Sequence, residues 1–161
     1  MVLVGTGGAA TAIAVSGALD GIKELHVFNI RDKFYERGEE IVELINKETK
    51  CKAYMYDLAD KGKLKTEMQA ADIFCDATGV GMHPLEELSN IPDGSFFKED
   101  LIVTDTVYAP RETVMMKQAK ESGVKRVYNG MGMMLFQALI AIKLYTGKDT
   151  DVAYMKEQLG I

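Results

Sequence analysis

Gly5, Gly7 and Ala10 follow the pattern G-x-G-x-x-A, set between the apolar run Val2-Leu3-Val4 and an alanine-rich stretch with no breaker before Gly17. The chemistry this spacing suits is the capture of a diphosphate. The first glycine permits a sharp turn, the second lets a pyrophosphate approach the main chain, and the small third residue seats a helix against a strand. The free amides and positive end of that helix then face the anion. Asp32 comes 22 residues after Ala10, near the spacing of about twenty at which a carboxylate accepts hydrogen bonds from the ribose hydroxyls of an adenine dinucleotide. The same residue also suits the N-cap of the helix that follows. Its neighbour Arg31 is the residue type that favours a 2′-phosphate. A second glycine-bearing turn, Ala77-Thr78-Gly79-Val80-Gly81, falls beside the first if the strands carrying them are neighbours. His26 reads as a strand residue and His83 as loop material, neither with a catalytic partner nearby in sequence.

Positioning these residues requires strands and helices in alternation, and the chain supplies them. Strands are expected over Val2–Val4, residues 25–32, 51–57, 72–78, 101–108 and 125–128. Helices are expected over about 8–19, 33–48, 61–70, 113–122, 129–146 and 150–159, with a short further helix near Leu85. The first helix is expected to pack through Ala12, Val15, Ser16 and Leu19. The second is expected to turn Phe34, Ile41, Val42, Leu44 and Ile45 inward and Glu36, Arg37, Glu39, Glu40 and Glu43 to solvent. Met133, Met134 and Phe136 read as core, and Gln137 lies where a polar side chain could reach the ligand crevice. Six alternations argue for one α/β domain over residues 1–161. This is a Rossmann-like doubly wound parallel sheet of six strands in three layers, ordered 3-2-1-4-5-6.

Composition narrows the function classes. The chain has 161 residues, 47% hydrophobic and 27% charged, with a net charge of −5 and no lysine/arginine run, so non-specific nucleic-acid binding is not expected. No apolar run approaches a membrane span. Cys51 and Cys75 read as buried free thiols of a reducing, cytoplasmic compartment, and without a cysteine–histidine cluster no zinc or other metal site is expected. The first strand begins almost at Met1, which looks like a truncated start.

Five separated motifs carry a family resemblance: Gly5-Thr-Gly-Gly-Ala, Asn29-x-Arg-Asp, Ala77-Thr-Gly-Val-Gly-Met, Asp105-x-x-Tyr-x-Pro-x-x-Thr113, and Asn129-Gly-x-Gly-Met-x-x-x-Gln137. In this order they resemble shikimate dehydrogenases, and the Asn29–Asp32 segment is closer to the quinate/shikimate dehydrogenase branch. The resemblance implies reversible hydride transfer between a nicotinamide cofactor and the C3 hydroxyl or keto group of shikimate or quinate. It implies that Thr6, Gly7, Gly8 and Ala9 form the pyrophosphate turn, and that Asn29, Ile30, Arg31 and Asp32 form the adenosine-ribose site. Gly79, Thr106, Val107, Tyr108, Ala109 and Gly130 would lie towards the nicotinamide, and Gln137 would reach the substrate. Members that use NADP commonly carry Asn-Arg-Thr at the ribose turn. Here Ile30 and Asp32 stand there, and a carboxylate repels a phosphate, so NAD is expected over NADP, with Arg31 leaving some tolerance for NADP. The family's catalytic lysine–aspartate pair belongs to an N-terminal substrate domain that this chain lacks. No catalytic residue is therefore assigned, and the chain alone is expected to bind dinucleotide without turning over shikimate. Exposed apolar surface is expected at Val152, Tyr154, Met155, Leu159 or Ile161, and a homodimer is compatible with the reading.

Two rival readings stand beside this one. A non-catalytic module that binds a dinucleotide or metabolite to regulate a partner fits the same motifs. A methyltransferase also uses a glycine turn and an acid after the second strand, although Ala10 and the Gly130-x-Gly-Met segment speak against it.

Overall fold

The first strand, β1 (Val2–Val4), is wholly buried and forms the centre of the sheet. The computed structural model describes residues 1–161. β2 (Glu24–Asn29) and β3 (Lys52–Asp57) extend the sheet to one side, and β4 (Ile73–Asp76), β5 (Ile102–Asp105) and β6 (Arg126–Tyr128) to the other, giving the order β3-β2-β1-β4-β5-β6. All pairs are parallel. The central strands β1 and β4 are largely apolar and buried because helices cover both faces of such a sheet, whereas the edge strands β3 and β6 are partly exposed.

Successive side chains of a strand point to opposite faces, and β1 divides accordingly. Val2 and Val4 join Phe28, Leu64, Met68, Phe74 and Leu101 on the side of α3 (Lys61–Ala70) and α4 (Val114–Glu121). Leu3 joins Leu25, Val27 and Ile45 on the side of α1 (Gly8–Leu19) and α2 (Tyr35–Glu48). α5 (Met131–Thr146) and α6 (Val152–Leu159) close the chain. Both cysteines are buried and unpaired. No helix is long and apolar enough to cross a membrane.

Several expectations require correction. α1 buries Ala10, Ala14 and Ala18; of the expected Ala12, Val15, Ser16 and Leu19 only Val15 packs, partly buried, against that core, Ala12 and Ser16 are exposed, and Leu19 is 70% exposed. The helical period is the same, but its phase is set by the small residues that let the helix axis approach β1. In α2 the buried residues are Tyr35, Gly38, Val42 and Ile45. Phe34 precedes the helix and Leu44 falls on its outer side, so both are exposed, while the five charged residues do face solvent. β5 ends at Asp105, three residues short of Tyr108, and no helix forms near Leu85, where the chain makes turns. In α5 only Met131 and Leu135 are buried. Met133 and Phe136 are exposed rather than core, because a helix apolar on every side cannot bury all of it against one sheet. α6 buries no residue. Ile13 and Gly17 of α1, Met133 of α5, and Cys75, Thr104 and Asp105 of the sheet together line an open cleft of about 510 Å³.

Candidate dinucleotide site

The direction of winding reverses between β1 and β4, so the connections leaving their carboxyl ends diverge and open a crevice. The crevice has a volume of about 310 Å³ and brings together Gly5, Thr6 and Gly7 of the first turn, Asn29, Ile30 and Asp32 beyond β2, and Thr78, Gly79 and Asn90 beyond β4. Three stretches far apart in sequence thus share one opening.

Gly5 sits at φ +108°, where a side chain is strained. A Cβ there would lie 2.9 Å from the Ala77 carbonyl oxygen and 3.2 Å from Thr78 Cγ2. Gly5 is therefore required by the fold, since it lets the two turns touch. Gly7 differs. Its backbone is ordinary (φ −71°, ψ −176°), and a Cβ would meet nothing within 4 Å. Gly7 is also the N-cap of α1, with no side-chain cap and no acidic residue in the first turn. The first-turn amides, including those of the exposed Gly8 and Ala9, thus have neither an intrahelical carbonyl nor a capping side chain. An anion fits this end of the helix. Thr6 is used internally: it is buried, and its hydroxyl donates to the Phe34 carbonyl at 2.9 Å, tying the phosphate turn to the start of α2.

At the other end, Asn29 is buried at the tip of β2, and its Nδ2 donates to the Ile30 carbonyl (2.9 Å) and to Asp32 Oδ1 (3.0 Å). The same Oδ1 accepts from the Phe34 amide at 2.9 Å. Asp32 therefore orders the approach to α2, although the N-cap position itself falls to Phe34. Its Oδ2 carries no protein donor and is free to accept from a diol. Ile30 is 55% exposed and offers an apolar surface. Arg31 lies outside the crevice lining. Its Nε donates to Asp57 Oδ2 at 2.9 Å, and its guanidinium lies 4.7 Å from the Tyr35 ring centre. Binding a 2′-phosphate through Arg31 would have to compete with that ion pair.

The ends of β4 and β5 carry two buried carboxylates, paired in register. Asp76 Oδ1 accepts from the Thr78 amide (3.0 Å) and hydroxyl (2.7 Å), and its Oδ2 accepts from Asn90 Nδ2 (2.9 Å). Lys61 Nζ donates to the Asn90 carbonyl at 3.1 Å. Burial raises the Asp76 carboxyl above its ordinary value despite these donors. Asp105 Oδ1 accepts from the Val107 amide (2.8 Å) and Oδ2 from the Thr113 hydroxyl (2.7 Å). Its carboxyl is pushed up to about 6, chiefly by burial. Thr106 donates its amide to the Asp76 carbonyl, and Gly130 donates its amide to the Val107 carbonyl, each at 2.9 Å. A Cβ on Gly130 would lie 2.0 Å from the Thr106 carbonyl oxygen.

Of the residues expected towards the nicotinamide, Gly79 lines the crevice, whereas Thr106, Val107, Tyr108, Ala109 and Gly130 lie outside its lining and differ in exposure. Val107 is buried, Tyr108 and Ala109 are exposed, and Gly130 is packed under Thr106. Gln137 is exposed on α5 and donates to the Met134 carbonyl at 3.0 Å. His26 and His83 stay outside the crevice lining. His26 stacks on Tyr54 and Tyr56, and His83 is paired with Glu86. Asn90 lines the crevice, and Asp76 and Asp105 brace the loops beyond β4 and β5, roles that motif reading did not assign. The available signal for the two acids was their place as the last residue of β4 and of β5.

The parallel sheet with reversed winding about β1 and β4, and a glycine turn leading from β1 into α1, define a Rossmann-type α/β domain. No protein-family model matches the chain. Its relatives are specific nonetheless. The chain is 49% identical over 157 residues to the shikimate dehydrogenase (NADP(+)) of Streptococcus uberis, covering 98% of this chain and 53% of that protein. Its fold superposes with a TM-score of 0.96 on the Listeria monocytogenes shikimate 5-dehydrogenase solved with shikimate and NAD, at 44% identity over 99% of this chain and 55% of that one. The quinate dehydrogenase of Corynebacterium glutamicum, solved with NAD, gives a TM-score of 0.84 at 30% identity, covering 99% of this chain and 54% of that one. In the region it spans, the chain belongs with the shikimate dehydrogenases by sequence and by fold. It spans about half the length of the curated relatives it matches.

Proposed function

We propose that this chain is the cofactor-binding half of a shikimate or quinate dehydrogenase and holds a nicotinamide dinucleotide across the carboxyl edge of its sheet. The observation that carries this reading is Gly7. Neither its backbone conformation nor its surroundings require a glycine, yet it stands at the uncapped N-terminus of α1, in one crevice with Asn29 and Asp32. A residue without a side chain there suits a diphosphate lying against the main chain.

In this reading the α1 amides hold the diphosphate, Asp32 Oδ2 accepts from the adenosine ribose, and Gly79 and the 106–109 edge border the nicotinamide. When bound, the nicotinamide exchanges a hydride with C3 of the substrate. Gln137 contributes to the substrate side, and the proton-transferring groups come from a second domain. That domain also accounts for the apolar residues left open on α5 and α6. We further propose that NAD is preferred over NADP. Asp32 repels a 2′-phosphate, Ile30 offers it no donor, and Arg31 is engaged by Asp57. The S. uberis and L. monocytogenes relatives are both named for NADP(+), while the L. monocytogenes structure holds NAD, so the preference proposed here rests on these local residues alone.

Calorimetric titration of the chain with NAD, NADP and S-adenosylmethionine tests the proposal. Binding of NAD, weaker binding of NADP and none of S-adenosylmethionine is expected. Tighter NADP binding overturns the preference, and failure to bind either dinucleotide overturns the whole reading.

A further inference from the structure

We propose that Asp105 and Thr113 form a latch that presents the 106–112 loop to the nicotinamide end of the crevice, with Asp105 as a positioning residue that does not itself touch the ligand. The inference rests on the dinucleotide reading above and concerns what holds its nicotinamide edge in place.

The two carboxylate oxygens of Asp105 hold the two ends of one loop. Oδ1 takes the Val107 amide at its start and Oδ2 the Thr113 hydroxyl at its finish, at 2.8 and 2.7 Å. Thr113 then reaches further. Its Oγ1 accepts from the Met116 amide as the cap of α4, and its methyl packs so closely on Gly81 that a Cβ there would lie 2.8 Å from Thr113 Cγ2. The Val107 carbonyl accepts from Gly130 at the start of α5, and the Arg111 carbonyl accepts from Asn129 Nδ2. One buried carboxylate therefore joins the loops beyond β4, β5 and β6 into a unit. A buried charge is costly, and an apolar residue would close β5 without that cost. What the carboxylate supplies is a fixed geometry for the loop. The adenosine end is built separately, from Asn29, Asp32 and Phe34, and shares no hydrogen bond with the latch. Loss of the latch should therefore divide the two halves of the ligand.

The test measures binding of NADH, followed by its nicotinamide fluorescence, and of ADP-ribose, which lacks the nicotinamide, by calorimetry. Asp105→Asn and Thr113→Val are expected to weaken NADH about tenfold and to reduce its fluorescence enhancement, while ADP-ribose stays within about twofold of the parent. Thr113→Ser keeps the hydroxyl and should restore NADH binding. If Asp105→Asn fails to fold, the Thr113→Val and Thr113→Ser pair decides alone. Equal losses for both ligands, or no loss for either, overturn the latch and leave the dinucleotide reading standing. A parent chain that binds neither ligand overturns both.

Discussion

Asn29 donates through Nδ2 to Asp32 Oδ1 at 3.0 Å, across the turn that ends β2. Because the Phe34 amide takes the same oxygen, the carboxylate is fixed by one side and free on the other. An acid held this way is ready for a ribose diol before any ligand arrives. Replacing Asp32 by Ala is expected to weaken NAD about tenfold, the value of hydrogen bonds to a charged group, and to weaken NADP less. Calorimetry with both cofactors checks the direction and the ratio.

Gly5 and Gly7 should respond oppositely to alanine. Gly5→Ala meets a positive φ and a carbonyl oxygen at 2.9 Å, and is expected to lower stability by about 2 kcal/mol or more. Gly7→Ala meets nothing and should cost at most about 1 kcal/mol as a poorer N-cap, yet abolish most dinucleotide binding. Urea midpoints set beside NAD titrations of the two variants would separate the glycine that folds the turn from the glycine that admits the ligand.

Gly130 supports the far edge. A methyl 2.0 Å from the Thr106 carbonyl oxygen has no room without moving the main chain. Gly130→Ala is expected to cost about 1–3 kcal/mol and to displace the 106–109 segment. Thermal unfolding would register the first effect and hydrogen exchange of the Val107 amide the second.

Asp105 gives stability a pH dependence of defined sign. Its folded-state carboxyl lies near 6 against an ordinary value of 3.8, so the folded chain keeps the proton to higher pH than the unfolded chain. The contribution is fully present below the ordinary value and is lost as pH rises through about 6. Asp76, raised for the same reason, acts in the same direction, whereas Asp57, Glu86, Asp93 and Glu112 are lowered and act oppositely. The stability of the parent relative to Asp105→Asn should therefore fall by up to about 2 kcal/mol between pH 4.5 and 7.5. Paired urea titrations at the two pH values measure this difference, and an unchanged difference would refute the assignment.

Ile140 and Leu144 are 62% and 77% exposed on α5. Substituting lysine at both is expected to change stability by no more than about 0.5 kcal/mol each. If this face seats a substrate domain, the same changes should weaken its docking and lower turnover by the two-domain protein, while NAD binding by this chain is unaffected.

The sequence alone determined the order and kind of the elements. Buried parallel strands must be short apolar runs, their helices must carry a repeating apolar stripe, and the G-x-G-x-x-A turn and Asp32, singled out by their spacing, line one crevice of the fold. Tertiary structure decided what depends on contacts between distant residues. The buried stripe of α1 proved to be Ala10, Ala14 and Ala18, because periodicity gives a stripe but only the neighbouring strand selects its phase. α5 is apolar all round, so nothing local could say that Met131 and Leu135 would be covered and Met133 and Phe136 left open. The partners of Asp76 and Asp105 lie up to 14 residues away, and a buried carboxylate is recognisable as a loop support only once the donors that satisfy it have been brought to it by the fold.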